Sequence, residues 1–259
     1  MKKVDMLVVG AGALAKALYP LWQPKTMIGL RRKPHDAPFP LIHGDTTDGA
    51  FWEQEALQLD PSTVLITATP GLRGGGSGND LATLCGRVRA QFPAARLLYT
   101  ASTAVYGDGQ ELDDGAPVQT SGRAPALLEI EDAVLSQGNA LVLRVGAIVG
   151  PSRMPKRLRN LPADAQQPLV ISGDPQRPFP FIHQADLMQV LLRLANDRQQ
   201  TGRMNCVSPH QLTYEAYYRG YLSDAAMEIV SDGAAMPRRQ INASRLWQLM
   251  GDYPWRQQW

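Results

Sequence analysis

Gly10, Gly12 and Ala15 stand in the segment Val8-Val9-Gly10-Ala11-Gly12-Ala13-Leu14-Ala15, where an apolar β-type run gives way to an apolar-periodic helix. That context makes a G-x-G-x-x-G/A pattern chemically meaningful. The first small residue permits a tight turn, the second lets the main chain approach a ligand with no Cβ in the way, and the third admits close helix packing. The helix then offers its first unpaired N–H groups, so the turn from Gly10 through Gly12, Ala13 and Leu14 is predicted to cradle a pyrophosphate. A turn that binds nothing is the competing reading. Roughly 20 residues beyond the first glycine such a loop is followed by an acid for a ribose 2′-hydroxyl or an arginine for a 2′-phosphate. Here Met27-Ile28-Gly29-Leu30 runs into Arg31 and Arg32, which cannot accept from a hydroxyl but donate in fork geometry to a phosphate. NADP(H) is therefore expected over NAD(H), against the alternative of a solvated basic loop continued by Lys33.

The elements that must position these groups follow a rhythm. Apolar runs recur at Met6 to Val9, Met27 to Leu30, Val64 to Thr67, Leu97 to Tyr99 and Leu141 to Val145, separated by helical spacing or turn residues. Continuous apolar strands are what a parallel sheet covered by helices on both faces requires. The fold class read from this is α/β, a Rossmann-type, doubly wound, mostly parallel sheet, with residues 1–150 as the dinucleotide-binding domain. After Pro151 the periodicity weakens and Arg153, Lys156, Arg157 and Arg159 cluster, before a helix from about Gln184 to Asn196. Residues 151–259 are read as a smaller substrate lobe interleaved with the core and not independent of it. Gly71 to Asp80 and Gly107 to Pro125 read as long loops.

A net charge of +2 with 19% charged residues gives no broad field for nucleic acid or anionic lipid, and neither is expected as a partner. Cys85 and Cys206, the two cysteines, have no metal-type spacing and suit a reducing cytoplasm. Asp5 and the Gly-rich turn interrupt the N-terminal apolar stretch, which reads as a strand and not a leader. No run approaches the roughly 18 apolar residues of a spanning helix. The histidines, His35, His43, His183 and His210, show no pairing for a metal, and none is expected. His183 and Asp186 lie one turn apart at a helix start, where capping is favoured over catalysis. Trp247, Tyr253, Trp255 and Trp259 read as a tail packed on the body or on a second copy, which leaves room for a homodimer.

Taken in order, several fragments resemble the atypical branch of the short-chain dehydrogenase/reductase superfamily, near the NAD-dependent epimerase/dehydratase family. Besides the Gly-rich turn they are Gly44-Asp45-Thr46-Thr47-Asp48, Thr67-Ala68-Thr69-Pro70-Gly71, Tyr99 to Gly107, Leu143 to Arg153, Phe181 to Leu187 and Arg239 to Leu246. The resemblance implies that Asp45, followed by Thr46, meets the adenine amino group, that Ala68, Thr69 and Pro70 line the ribose, and that Gly146 lies near the nicotinamide. Asp45 has the plainer alternative of capping a helix at Thr46 or Thr47. Arg153 would reach a substrate anion, or else belong to a solvated basic face.

Active members of that family use a Ser or Thr to hold the substrate oxygen and a Tyr-x-x-x-Lys pair, in which an ammonium one helical turn away favours the phenolate. Ser102, four residues before Tyr106, matches the Ser, with a backbone-bonded strand-end hydroxyl as its alternative. Aligning the family's following Glu on Glu129 puts Ser121 and Pro125 where Tyr and Lys belong, and Gly107 to Val134 contains neither residue type. Tyr106 or Tyr99 would have to replace the acid. Two functions stand: an NADP(H)-dependent oxidoreductase, epimerase or dehydratase on a small or sugar-like carbonyl substrate, with Ser102 and Tyr106 as catalytic candidates, or a catalytically silent NADP(H)-sensing protein.

Overall fold

The computed structural model describes residues 1–46, 48–54, 57–69, 79–136, 138–159, 167–222 and 227–257. In chain order the first half runs β1 (Lys2–Val9), α1 (Ala13–Trp22), β2 (Met27–Arg31), β3 (Leu41–His43), β4 (Leu59–Ile66), α2 (Asn79–Gln91) and β5 (Arg96–Ser102). It continues with β6 (Gly109–Leu112), α3 (Ala124–Leu135), β7 (Ala140–Val145), β8 (Ala147–Val149), α4 (Lys156–Arg159), β9 (Leu169–Ile171), β10 (Pro178–Phe179) and β11 (Phe181–His183). The remainder is α5 (Gln184–Asn196), β12 (Gly202–Cys206), β13 (Leu212–Thr213), α6 (Tyr214–Arg219), β14 (Ile229–Ser231), β15 (Arg239–Ile241) and α7 (Ser244–Met250).

Seven strands form one sheet in the order β12-β7-β5-β4-β1-β2-β3. Pairs β1–β2, β2–β3, β1–β4 and β4–β5 are parallel, with Val9 opposite Leu30 on one side and Ile66 on the other. The fold is the α/β, Rossmann-type, mostly parallel architecture that the apolar rhythm predicts. Each strand run expected from the sequence lies in or overlaps one of β1, β2, β4, β5 and β7. Both faces of the sheet are covered. Leu7 and Val9 of β1 join Val64, Ile66, Leu97 and Tyr99 in a core with Leu84, Cys85 and Val88 of α2 and Ile130 and Val134 of α3. The alternating residues Met6, Val8, Leu65 and Leu98 are equally buried, as strands flanked on two sides require. Helix α5 spans the range expected for it, with Leu187, Val190, Leu191 and Leu194 on its buried stripe.

The chain divides into two compact units: residues 1–105, 120–144 and 188–204 form the first, and 106–119, 145–187 and 205–259 the second. The expected boundary at residue 150 is thus a set of exchanges along the chain. Within the second unit the strands are short and paired in twos: β6 with β15, β8 with β11 and β9 with β14, all parallel, and β10 with β13 antiparallel. Strands of two or three residues carry too little alternation to be read from sequence. The polar stretch after Gly107 was expected to be loop, yet Gly109–Leu112 is strand β6, completed by a partner about 130 residues later in the chain.

Glu131 ties the first unit together. Its fully buried carboxylate accepts from Arg144 Nε and Nη2, the latter at 2.8 Å, and from Arg203 Nε at 2.8 Å. Arg144 is itself only 2% exposed. Removing the acid strands a buried guanidinium, so Glu131→Ala is expected to cost about 3–5 kcal/mol in urea unfolding; a loss below about 1 kcal/mol, the scale of a surface pair, would show the cluster to be solvated.

Candidate functional site

The strand order reverses between β1 and β4, which places the residues after both strands beside a crevice at their carboxyl ends. Gly10 has φ of +82°, and a Cβ there would sit 2.6 Å from the Ala68 nitrogen. Only glycine fits. Thr67 fastens the contact by donating its hydroxyl to the Gly10 carbonyl at 2.9 Å and its amide to Val9 O at 2.9 Å. A Cβ on Gly12, by contrast, would meet Arg31 Nη1 at 3.5 Å and the Gly10 carbonyl at 3.7 Å, ordinary contacts that leave it room. Helix α1 begins there with no side-chain cap and no acid in its first turn. Its amides and dipole therefore present an unmet demand for an anion.

Arg31, at the end of β2, reaches back over this loop and donates Nη1 to Ala11 O at 3.0 Å. Its Nε is buried without a hydrogen-bond partner among the described residues. Arg32 is exposed. Asp45 is exposed as well, and ahead of the short 3₁₀ turn at Ala50–Glu53 the Asp48 Oδ1 accepts from Ala50 N at 3.0 Å. The Thr46 carbonyl accepts from Trp52 Nε1. Ala68 and Thr69 follow β4 beside Gly10, while Pro70 lies outside the described residues.

Ser102 ends β5 half-buried, its Oγ accepting from Ala104 N at 3.1 Å. That is the backbone-bonded role, and it leaves the hydroxyl proton available to another acceptor. Tyr106 is different. It is fully buried, with its hydroxyl 2.9 Å from both the Asp113 carbonyl and Asn205 Oδ1, two acceptors for its single proton. Asn205 is oriented by donating to Leu112 O and Asn242 O, and the Tyr106 carbonyl accepts from Gln119 Nε2 and Arg239 Nε. These bonds tie Tyr106 into the second unit, with its hydroxyl, the expected catalytic acid, turned toward Asp113 and Asn205. Tyr99 is buried too, its phenol pushed above the ordinary range by desolvation and then by Cys85 and Glu131.

The helix that should carry Tyr-x-x-x-Lys is α3. Glu129 is exposed and Glu131 is the buried, paired acid, so the natural structural anchor lies two residues later than the sequence alignment placed it. The pair's positions then fall on Arg123 and Leu127 instead of Ser121 and Pro125, and neither register supplies a Tyr or a Lys.

In the second unit, Gly146 backs onto Pro180, whose oxygen would lie 2.7 Å from an added Cβ. Arg153 is held by Gln184 Oε1 at 2.8 Å, and Arg157 by Val170 O and Ser172 Oγ. Arg177 is the residue that sequence reading missed. It is 3% exposed, lies over the Tyr214 ring with its central carbon 3.2 Å from the centroid, and donates Nη2 to Ser172 O at 2.7 Å. Its Nε and Nη1 are buried and unpartnered among the described residues, and desolvation lowers its pKa. Nothing in Gly173-Asp174-Pro175-Gln176-Arg177 signals burial, because the side chain enters the interior by folding back from a turn.

His183 Nδ1 accepts from Ala185 N at 3.1 Å, while Asp186, fully buried, accepts from Tyr253 OH and from Arg256 N, each at 2.9 Å. Burial, with Arg256, lowers the His183 pKa against the opposing pull of Asp186. Trp247 donates Nε1 to Val207 O, so the aromatic tail packs on its own unit; Trp259 lies outside the described residues. Among the described residues no group of three or more His, Cys, Asp or Glu is placed to hold a metal, and no helix is long and apolar enough to cross a membrane.

No family model matches the sequence, and no curated protein matches it either. Solved structures do share the fold. MoeE5 in complex with UDP-glucose and NAD superposes with a TM-score of 0.75 at 18% identity, over 94% of this chain and 91% of that one. dTDP-glucose 4,6-dehydratase from Bacillus anthracis, in complex with NAD, gives 0.76 at 15% identity over 98% and 92%. The Bordetella bronchiseptica enzyme WbmG in complex with NAD gives 0.75 at 15% identity over 95% and 87%.

The two loop glycines separate fold from ligand. Gly10→Ala is expected to lower stability by about 2–4 kcal/mol, from a strained φ and an overlap with main chain. Gly12→Ala should stay within about 1 kcal/mol of the parent in thermal unfolding. Equal effects would mean that Gly10 does not lie against Ala68.

Proposed function

We propose that the first unit binds NADP(H) and that the protein is an oxidoreductase, epimerase or dehydratase for a sugar-like carbonyl compound carrying an anionic group. The observation that carries this is the bare start of α1: no side-chain cap, Arg31 beside Gly12 and no acid in the first turn. The residues fit a dinucleotide. The α1 amides would hold its pyrophosphate, Ala68 and Thr69 would border a ribose, and Arg31, with an unused Nε, would meet a 2′-phosphate alongside Arg32. Asp45, exposed after β3, is assigned the adenine, and Gly146 the nicotinamide end. When bound, the cofactor supplies hydride transfer. The three solved relatives carry NAD, so preference for NADP(H) rests on Arg31 and Arg32 of this chain.

For substrate, Arg177 is the buried cation of the second unit. A buried guanidinium with two N–H groups unmet among the described residues is costly unless an anion reaches it, and its aromatic support holds it in place. Arg153 is a second cation for the same purpose. Names of the solved relatives include UDP-glucose and dTDP-glucose, and a nucleotide sugar has the phosphate that Arg177 calls for. Ser102 is the hydroxyl left to donate to a substrate oxygen. The lack of a Tyr or Lys in either register of α3 favours a second reading, an NADP(H) sensor without turnover.

Titration calorimetry with NADPH and NADH tests the cofactor assignment. Arg31→Ala with Arg32→Ala should weaken NADPH by a few kcal/mol, about the worth of charge-assisted bonds to phosphate, and leave NADH nearly unchanged; equal losses would remove the 2′-phosphate role. Gly12→Ala, still folded, should lose affinity for both. Consumption of NADPH with nucleotide-sugar carbonyl compounds separates enzyme from sensor. If turnover is found, Ser102→Ala should slow it about tenfold or more, and Arg177→Ala should raise KM with the smaller effect on kcat. No turnover across such a panel, with cofactor bound, selects the sensor.

A further inference from the structure

Gly150 follows β8, and hydrogen bonds within the second unit hold its main chain in place. Its carbonyl accepts from Arg153 N at 2.9 Å and from the Tyr221 hydroxyl at 3.1 Å, and its amide donates to the same hydroxyl at 3.3 Å. With φ of +150° and no side chain, Gly150 leaves room that the end of β11 and the start of α5 border: a Cβ there would lie 3.6 Å from His183 Nε2 and 3.6 Å from Gln184 Cβ. Arg153 returns to the same place, donating Nε to Gln184 Oε1 at 2.8 Å. Gly150, Arg153, Gln184 and His183 thus form a closed ring of contacts.

What this ring lacks is an acceptor. His183 is 9% exposed, and its Nδ1 accepts from Ala185 N at 3.1 Å, which puts the proton of the neutral imidazole on Nε2. That N–H has no acceptor among the described residues. The Gln184 oxygen is taken by Arg153, so its amide N–H groups lie on the far side of that bond and are likewise unmet among the described residues. Arg153 keeps both Nη groups, and no acid among the described residues pairs with its charge. The neighbouring carboxylate, Asp186, is already bonded to Tyr253 and Arg256. Three kinds of donor without a free acceptor match an oxyanion, and the planar fork of the Arg153 Nη groups matches the two coplanar oxygens of a carboxylate. Aromatic contacts join this ring to Arg177. Tyr221 meets Tyr217 edge to face with centroids 5.6 Å apart, Tyr217 stacks on Phe179 at 4.0 Å, and Phe179 meets Tyr214, the ring beneath Arg177, at 4.8 Å. One aromatic wall carries a cation at each end, the arrangement for a ligand with two anionic groups.

We infer that His183 and Gln184 are specificity-determining residues that, with Arg153, bind a carboxylate on the sugar portion of the substrate, so that the protein takes acidic sugars in preference to neutral ones. This rests on the nucleotide-sugar reading of the second unit, in which Arg177 meets the phosphate. A neutral sugar presents a hydroxyl at the same place, which accepts from one donor and leaves the charge of Arg153 unanswered.

The test is calorimetric titration of the full chain, without added cofactor, with UDP-glucose and UDP-glucuronic acid, which differ in carrying a hydroxymethyl group or a carboxylate. The parent should bind the acid about tenfold or more tightly than the neutral sugar. His183→Asn retains an acceptor for Ala185 N at the start of α5 and removes the Nε2 donor. It should weaken the acid about fivefold or more and the neutral sugar less than about twofold. Gln184→Glu keeps the acceptor for Arg153 but replaces the amide donors with a negative charge, and it should abolish the preference. Equal affinity of the parent for the two sugars, or an undiminished preference in either variant, overturns the inference while Arg177→Ala still weakens both sugars and the underlying reading stands. A parent protein that binds neither sugar, or an Arg177→Ala variant that binds both as the parent does, defeats that reading itself.

Discussion

The main chain at Gly10 and the main chain at Ala68 approach so closely that no side chain fits between them. This contact joins the ends of β1 and β4, the two strands at which the sheet order reverses, and with the Thr67 hydroxyl on the Gly10 carbonyl it determines where α1 starts. Everything proposed for the first unit depends on that starting point. A helix beginning elsewhere, or beginning with an acidic cap, would have its amide groups satisfied from within the protein and would exert no pull on an anion.

The arginines of this chain illustrate how partner type separates framework from function. Arg144 and Arg203 close on the Glu131 carboxylate, and Arg89 spends its Nη groups on the carbonyls of Ala95 and Gly138. These guanidinium groups take the place of water at main-chain and carboxylate acceptors and tie elements together. Arg31 and Arg177 keep buried donors without an acceptor among the described residues and lie beside, respectively, an uncapped helix start and a tyrosine ring. Arg96, which donates Nη2 to Gln200 O, and Arg89 also keep buried N–H groups unpartnered among the described residues, so an unpaired donor becomes a functional argument only where other groups converge on the same place.

Tyr106 shows the limit of reading chemistry from residue type. Its place four residues after Ser102 suggests an acid near a substrate, yet burial and two competing acceptors make it a fixed point for Asn205 and for the segment around Asp113. Ser102, half-buried at the end of a strand, retains a proton to offer. The difference comes from what surrounds each hydroxyl: Ser102 meets a neighbour two residues on, whereas one acceptor of Tyr106 is Asn205, roughly a hundred positions away, which no local pattern reports.

The sequence by itself determined the parallel sheet and its first helix, because continuous apolar strands and a glycine-rich turn are local signals that tertiary context only reinforces. It also determined the placing of α5 and the lack of a Tyr-x-x-x-Lys pair between Gly107 and Val134, which is a matter of composition. Tertiary structure alone decided that Glu131 and not Glu129 is the buried acid of α3 and that Arg177 turns inward. It likewise decided the division of the chain into interleaved units and the short paired strands of the second. Such features depend on pairings between distant segments, where a shift of one or two residues changes which side chain is buried while leaving local propensity untouched.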